Sequence, residues 1–305
     1  IGAKWIDDPI VSPYYKAHFL RAECYNMSFS PFSFPCFQPR TFARGDEQIP
    51  SGVAELVEEM PLAISINGIA HAVMMVTPNH LDAFVVGLAC SEGIIEDIND
   101  VRDIEIETTR LQANINSMAV NLIISPRRFA QYKQKQHAHL GATGCGICGI
   151  ESLSQAIPTL PMLAPCAPIK TSILASLKSH LSTYQTLGNK TGAVHAALLI
   201  APDGIPILCM EDIGRHNALD KVIGYALQQR LDLHDHSVLM TSRCSTELVQ
   251  KAVRVGLSRL IHLASPSTLA VSLAQHYGLN LIHLPKQDAP RVFAASTQLK
   301  GTHHE

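Results

Sequence analysis

The sequence predicts a mixed α/β fold, with a layered α/β domain over its second half and a smaller α+β unit before it. Three observations carry this expectation. Beyond residue 190, strands alternate with helices of about ten to fifteen residues, the rhythm of a layered sheet. Ahead of that, Asn67-Gly68 separates two apolar runs, the strongest short signal for a β-hairpin. Of the 305 residues, 47% are apolar and 16% charged, the balance of a globular chain with a substantial core. The expected division is an irregular extension (1–52), an α+β domain with a linker (53–140), an α/β domain (141–297) and a tail (298–305).

Taken in order, "SFSPFSFPCFQPRTF" mixes Pro, Ser and Phe with no period of two or 3.6, so neither strand nor helix is expected there. "PLAISINGIAHAVMMVT" (61–77) reads as the hairpin. "TPNHLDAFVVGLACSEGII" (77–95) reads as a helix with Leu81, Phe84, Val85 and Leu88 on one face and Thr77 or Asn79 as its cap. "VRDIEIETTR" and "SMAVNLIIS" alternate as a second antiparallel pair. "RRFAQYKQKQHAHLGATG" is basic and polar, a linker into the cysteine loop whose charge run reads as a solvated helix face. "KTSILASLKSHLSTYQTLG" is a helix closed by Gly188, and "AVHAALLIA" and "PILCM" form a hairpin around Asp203-Gly204. Three strand–turn–helix passages follow, and the strand "NLIHLPK" closes the set.

In such sheets ligands settle beyond the carboxyl ends of strands, against helix N-termini. Three turns there carry polar residues: Glu211, Asp212, Gly214, Arg215, His216 and Asn217; Thr241, Ser242, Arg243 and Ser245; Ser265, Pro266, Ser267 and Thr268. Ser245 and Ser267 have an ordinary use as helix caps. Arg215 and Arg243 are suited to phosphate. The plain alternative is that Asp212, Arg215 and Lys221 pair with one another. Neither G-x-G-x-x-G after a strand nor G-x-x-x-x-G-K-[ST] occurs.

The formal net charge of −2 gives no case for nucleic-acid or anionic-membrane binding. No apolar run is long enough to span a bilayer, the first residues lack a signal-peptide pattern, and a cytoplasmic location is expected. Of eight cysteines, six are scattered, and Cys90 and Cys209 sit in apolar stretches as small hydrophobes. Cys145 and Cys148, in "GATGCGICGIESL", are flanked by glycines and have nothing to pack against.

That pair has four candidate uses. A structural zinc site lacks a second C-x-x-C or a nearby His pair. A zinc deaminase needs H-x-E, and His195 in "AVHAALL" is followed by Ala197 where the Glu belongs. A thioredoxin-like dithiol needs a strand directly before the first Cys, and "HLGATG" is not one. A persulfide carrier on a Gly-rich loop fits, and residue chemistry alone does not separate it from the dithiol.

Seven blocks, among them "TGCGICGIESL", "TGAVHAALL", "EDIGRHNALDKVIG" and "TSRCSTELVQKAVRVG", resemble the FdhD family of formate dehydrogenase accessory proteins over about residues 53–297. The resemblance implies a cytidine-deaminase-like fold for the C-terminal domain and a sulfurtransferase activity. Sulfur would pass as a persulfide from a cysteine desulfurase to the molybdenum (or tungsten) bis-molybdopterin guanine dinucleotide cofactor of formate dehydrogenase, bound as a substrate, with no permanent cofactor. By motif position it implies Cys145 as the persulfide carrier and Cys148 as its partner. It implies a guanine-nucleotide site to which Arg215, His216, Asn217, Arg243 and Ser245 are assigned here. The stretch after the last strand, usually F-x-R-G-x-R, belongs to that site; here it reads Leu284, Pro285, Lys286, Gln287, Asp288 and Ala289, with Lys286 and Ala289 in place of the two arginines. Ala142 stands where relatives often carry Arg. A homodimer is implied, and a cofactor chaperone that moves no sulfur is the alternative function.

Overall fold

The computed structural model describes residues 36–37, 40–42, 48–50, 54–110, 116–136 and 157–293. The cysteine loop, with Cys145, Cys148 and Ala142, lies outside them. Four short strands come first, β1 (Cys36–Phe37), β2 (Arg40–Phe42), β3 (Gln48–Pro50) and β4 (Ala54–Glu55), in the antiparallel pairs β1–β4 and β2–β3. They correct the expectation of no strand in this region. Two- and three-residue strands are too short to display a period of two.

The hairpin is present as β5 (Met60–Ile66) and β6 (Ile69–Val76) around Asn67-Gly68. With β7 (Val101–Arg110) and β8 (Asn116–Ile124) it forms one sheet in the order β6-β5-β8-β7, in which β5 and β8 run parallel. Met60, Leu62, Ile64 and Ile66 turn to the core on alternate positions of β5, as a half-covered sheet requires. Between the hairpins lies α1 (Leu81–Ser91), and after them α2 (Pro126–Gln136). The basic segment is helical over Pro126–Gln136, as its charge run suggested, but its face is not wholly solvated. One face of it is engaged: buried Arg128 donates to Asp100 at 3.0 Å and pairs with Glu96, and Tyr132 is buried.

The second half is a six-stranded sheet in the order β10-β9-β11-β12-β13-β14, comprising β9 (His195–Ile200), β10 (Pro206–Asp212), β11 (Ser237–Met240), β12 (Arg259–His262), β13 (Asn280–His283) and β14 (Arg291–Phe293). The central β11, β12 and β13 are parallel; β9, β10 and β14 are antiparallel to their neighbours. The edge strand β14 was not anticipated; its three residues follow a polar turn and carry no alternation long enough to read. α3 (Thr171–Tyr184) and α4 (Leu187–Thr191) precede the sheet, and α5 (Arg215–Gln228), α6 (Thr246–Arg254) and α7 (Thr268–Tyr277) connect its strands. The single helix expected to end at Gly188 is therefore two. The Glu211 carboxylate accepts from the backbone N–H groups of Thr186, Leu187 and Gly188 at 2.8, 2.7 and 2.7 Å, which starts α4 afresh.

Every residue of β11 and β12 is buried, because helices cover both faces of the sheet. Leu198, Leu239, Ile261 and Ile282 face Leu174, Leu177 and Leu181 of α3. Their neighbours Leu199, Val238, Leu260 and Leu281 face a larger core that also contains α1, α5, α6, α7 and the inner face of the four-stranded sheet. That core joins the two halves of the chain through the crossing of α1 and α5. A Cβ on Gly87 would lie 1.8 Å from the Asp220 carbonyl oxygen, and one on Gly224 1.7 Å from that of Ala83. Only glycine at both positions lets the two backbones approach so closely. Among the described residues, no helix is long and apolar enough to cross a membrane.

Candidate functional site

The polar turns meet at one end of the six-stranded sheet. Strand register places Asp212 opposite His195, and Met240, His262 and His283 in one row across β11, β12 and β13. The chain leaves that end through Thr241–Ser245 after β11, through 263–267 after β12 and through Leu284–Ala289 after β13.

In the first turn most of the charge belongs to the fold. Fully buried Asp212 pairs with fully buried Lys221 at 2.7 Å and also accepts from the N–H groups of Thr77 and Gly214 and from the Asn217 amide. Lys221 Nζ donates further to the Thr77 carbonyl at 3.1 Å, to Asn79 Oδ1 at 2.5 Å and to the Glu211 carbonyl at 3.2 Å. Burial pulls the Lys221 pKa down, and Asp212 works against that pull. Thr77 Oγ1 accepts from the Ile213 N–H at 3.1 Å. The two residues expected to cap α1 are thus occupied here, and α1 starts instead from His80 in a left-handed conformation (φ 51) with no side-chain cap. One turn along α5, buried Asp220 takes Lys251 Nζ at 2.8 Å and the Ser91 hydroxyl at 2.7 Å. The expected mutual pairing of Asp212, Arg215 and Lys221 therefore holds for the first and last alone.

Arg215 remains. It opens α5, is half-buried, and has no hydrogen-bond or ion-pair partner among the described residues. Its charge is felt by His195, His216 and Glu247, which places these four in one neighbourhood. His216 is pushed down to about 4, by burial first and then by Arg215 and Lys251, so it is neutral at pH 7. Its Nε2 lies 3.8 Å from Glu247 Oε2, and both atoms are shielded from solvent. Burial opposes ionisation of Glu247, but the hydrogen bonding of its own turn and the nearby His216 and Arg215 hold its pKa below the ordinary range.

The other residues assigned from the sequence fall as follows. Arg243 is exposed, with no partner among the described residues. Ser245 is the N-cap residue of α6, and Ser267 caps α7 by accepting from Ala270 N–H. Asn217 is buried, its amide given to Asp212 and to the Met75 carbonyl. Leu284 is buried in the α3-side core, so that this stretch faces solvent from Lys286 to Ala289; the Pro285 carbonyl accepts from Lys178, and Asp288 pairs with Arg291 at 2.8 Å. Two features went unread in the sequence. Glu247 stands in the first turn of α6, a common place for an acid. His262, fully buried, hydrogen-bonds the Ser242 carbonyl through Nδ1 at 3.1 Å and has an unpartnered Nε2; an apolar strand gave no sign of it. Among the described residues, no cluster of three or more His, Cys, Asp or Glu is arranged to hold a metal ion.

Comparison with known proteins decides the lineage. The FdhD/NarQ family model matches residues 57–300. The chain belongs to the FdhD/NarQ family. Relatives named sulfur carrier protein FdhD include one from Burkholderia mallei, 41% identical over 78% of this chain and 88% of the relative. Another, from Cupriavidus necator, is 38% identical over 81% and 84%. A crystal structure described as that of a formate dehydrogenase accessory protein from Desulfotalea psychrophila shares the fold. It has a TM-score of 0.64 at 23% identity and covers 87% of this chain and 98% of its own. The FdhD/NarQ match takes in the cysteine loop, Arg215, Arg243 and the 284–289 stretch together.

Proposed function

We propose that the protein is a sulfurtransferase that carries persulfide sulfur from a cysteine desulfurase to the bis-molybdopterin guanine dinucleotide cofactor of a formate dehydrogenase. The Cys145 thiolate attacks the terminal sulfur of the donor persulfide. The donor S–S bond breaks, the desulfurase leaves as a thiolate, and Cys145 holds the sulfur as Cys–S–S⁻. The Cys148 thiol then attacks Cys145 Sγ, the outer sulfur leaves as hydrosulfide and is taken up by the bound cofactor, and an external dithiol reduces the resulting disulfide. Arg215 and Arg243, with backbone N–H groups of α5 and α6 and the 285–289 turn, take the phosphates of the guanine nucleotide. His216, Asn217 and Ser245 complete that pocket.

One observation carries the nucleotide half of this reading. In a motif whose other charges are consumed by buried partners, Arg215 has none among the described residues, at a helix start on the carboxyl end of the central strands. The naming of the relatives as sulfur carriers supports the cysteine half. Mass spectrometry after incubation with a cysteine desulfurase and cysteine tests it. One added sulfur is expected on the peptide containing Cys145 and none in Cys145→Ala. Maturation of formate dehydrogenase by Cys145→Ala at the wild-type level would rule the carrier mechanism out and leave a chaperone.

A further inference from the structure

Helix α2 divides its basic residues between two faces. Its sequence, PRRFAQYKQKQ, holds four basic residues and no acidic one. On the inner face buried Arg128 is neutralised by Glu96 and Asp100, and Asp100 also accepts from the Ser125 hydroxyl at 3.1 Å. The hydroxyl of buried Tyr132 meets His71 Nδ1 at 3.2 Å, and His71 Nε2 meets Glu92 at 2.9 Å. Phe129 stacks on Tyr132 and packs against the larger core. On the outer face Arg127 and Lys133 are exposed, with no carboxylate partner among the described residues. Lys133 Nζ lies 4.9 Å from the centroid of the Phe129 ring, which keeps the ammonium close to the helix. A polar linker that only spans a gap needs none of this anchoring. The anchoring makes α2 a rigid positive face, which a partner can bind without the cost of ordering it.

Position in the fold narrows the partner. α2 ends at Gln136, nine residues before Cys145, so a body resting on it lies within about 30 Å of that cysteine. α1 separates it from the turn bearing Arg215. That helix starts beyond Thr77 and Asn79 and runs about 16 Å to Ser91 and Glu92, where His71 and Tyr132 gather. A partner on α2 therefore leaves the nucleotide end open. We propose that the outer face of α2, through Arg127 and Lys133, docks an acidic surface patch of the protein that donates sulfur to Cys145. This rests on the sulfur-transfer reading above and adds to it where the donor sits. Exposed cations at the rim of an interface act mainly on the rate of encounter and its salt dependence, and little on the chemistry that follows.

Quenched-flow mass spectrometry of the full chain mixed with persulfide-loaded cysteine desulfurase reads the rate at which Cys145 gains sulfur. In the double variant Arg127→Glu, Lys133→Glu, the second-order rate constant at low salt is expected to fall by about tenfold. The maximal rate at saturating donor should not change. The wild-type rate should decline with added salt, and that decline should flatten in the variant. Cysteine persulfide, too small to need a docking surface, should load both proteins equally, which reports an intact fold. Lys170→Glu, a charge reversal at the exposed residue before α3, should leave the rate as it is. A comparable loss there would make the effect one of net charge and overturn the proposal. So would a double variant that loads at the wild-type rate. A double variant that loads normally and fails only in maturing formate dehydrogenase assigns the face to the client and overturns the proposal as well. If wild type takes no sulfur from the desulfurase, the sulfur-transfer reading fails first.

Discussion

The turn from β10 into α5 and the turn from β11 into α6 offer similar ingredients: an arginine, a carboxylate, a small cap residue and a helix start. They end in different states. In the first, Asp212 and Lys221 are sealed beneath Thr77 and Asn79, where the hairpin β5–β6 runs into α1. In the second, nothing comparable lies on top among the described residues, Arg243 stays exposed, and Glu247 is held within its own turn. The difference teaches that what frees a charged residue for ligand chemistry is whether another segment of the chain covers it. His216, between the two turns, has the character of both: shielded at Nε2, yet unsatisfied.

The largest effect should follow from breaking the sealed turn. Asp212→Ala leaves the Lys221 ammonium buried without its counter-charge and is expected to cost about 3–5 kcal/mol, read from urea unfolding. A loss under about 1 kcal/mol would mean that the clamp is not a structural element. The next effect concerns His262, on the same end of the sheet. Burial first, with the neighbouring His283, pushes its pKa from 6.5 down to about 4. The folded state therefore holds fewer protons than the unfolded chain between those values. Its contribution to stability is complete above pH 6.5 and is lost as pH falls towards 4, by up to about 3 kcal/mol. His262→Gln should flatten the pH dependence of unfolding in that window, and an unaltered slope would show that other groups set it.

The smallest effect on stability, and the sharpest test of the contrast, belongs to the open residues. Arg215→Ala and Arg243→Ala should each move unfolding by no more than about 0.5 kcal/mol, since neither has a partner to lose among the described residues. Each should nevertheless weaken GDP binding by about tenfold and lessen its dependence on salt. A marked loss of stability in either variant would place that arginine with Lys221 in the scaffold.

The elements were legible where periodicity ran long enough. Asn67-Gly68 marked the hairpin, and "SVLMTS", "RLIHLAS" and "NLIHLPK" marked strands that prove to be β11, β12 and β13. Short or interrupted pieces were not legible. The break between α3 and α4 comes from Glu211, a residue far along the chain, and β14 is held by pairing with β13 and not by its own pattern. In the candidate site, the sequence marked Arg215 and Arg243 as phosphate-suited residues at strand-to-helix turns. It did not separate Lys221 from Arg215, two cations six positions apart in one motif.

By itself the sequence determined the local alternation of strands and helices, the polar turns at the helix starts, and the motifs that carry family membership. All of these depend on neighbours within one or two turns of chain. The tertiary structure decided which polar residues are left over. Thr77, Asn79 and Ser91 come from the first half of the chain to meet Asp212, Asp220 and Lys221 in the second, over a helix crossing that Gly87 and Gly224 allow. A buried charge requires a partner wherever the fold brings one within reach, and that partner's position in the chain carries no local signal.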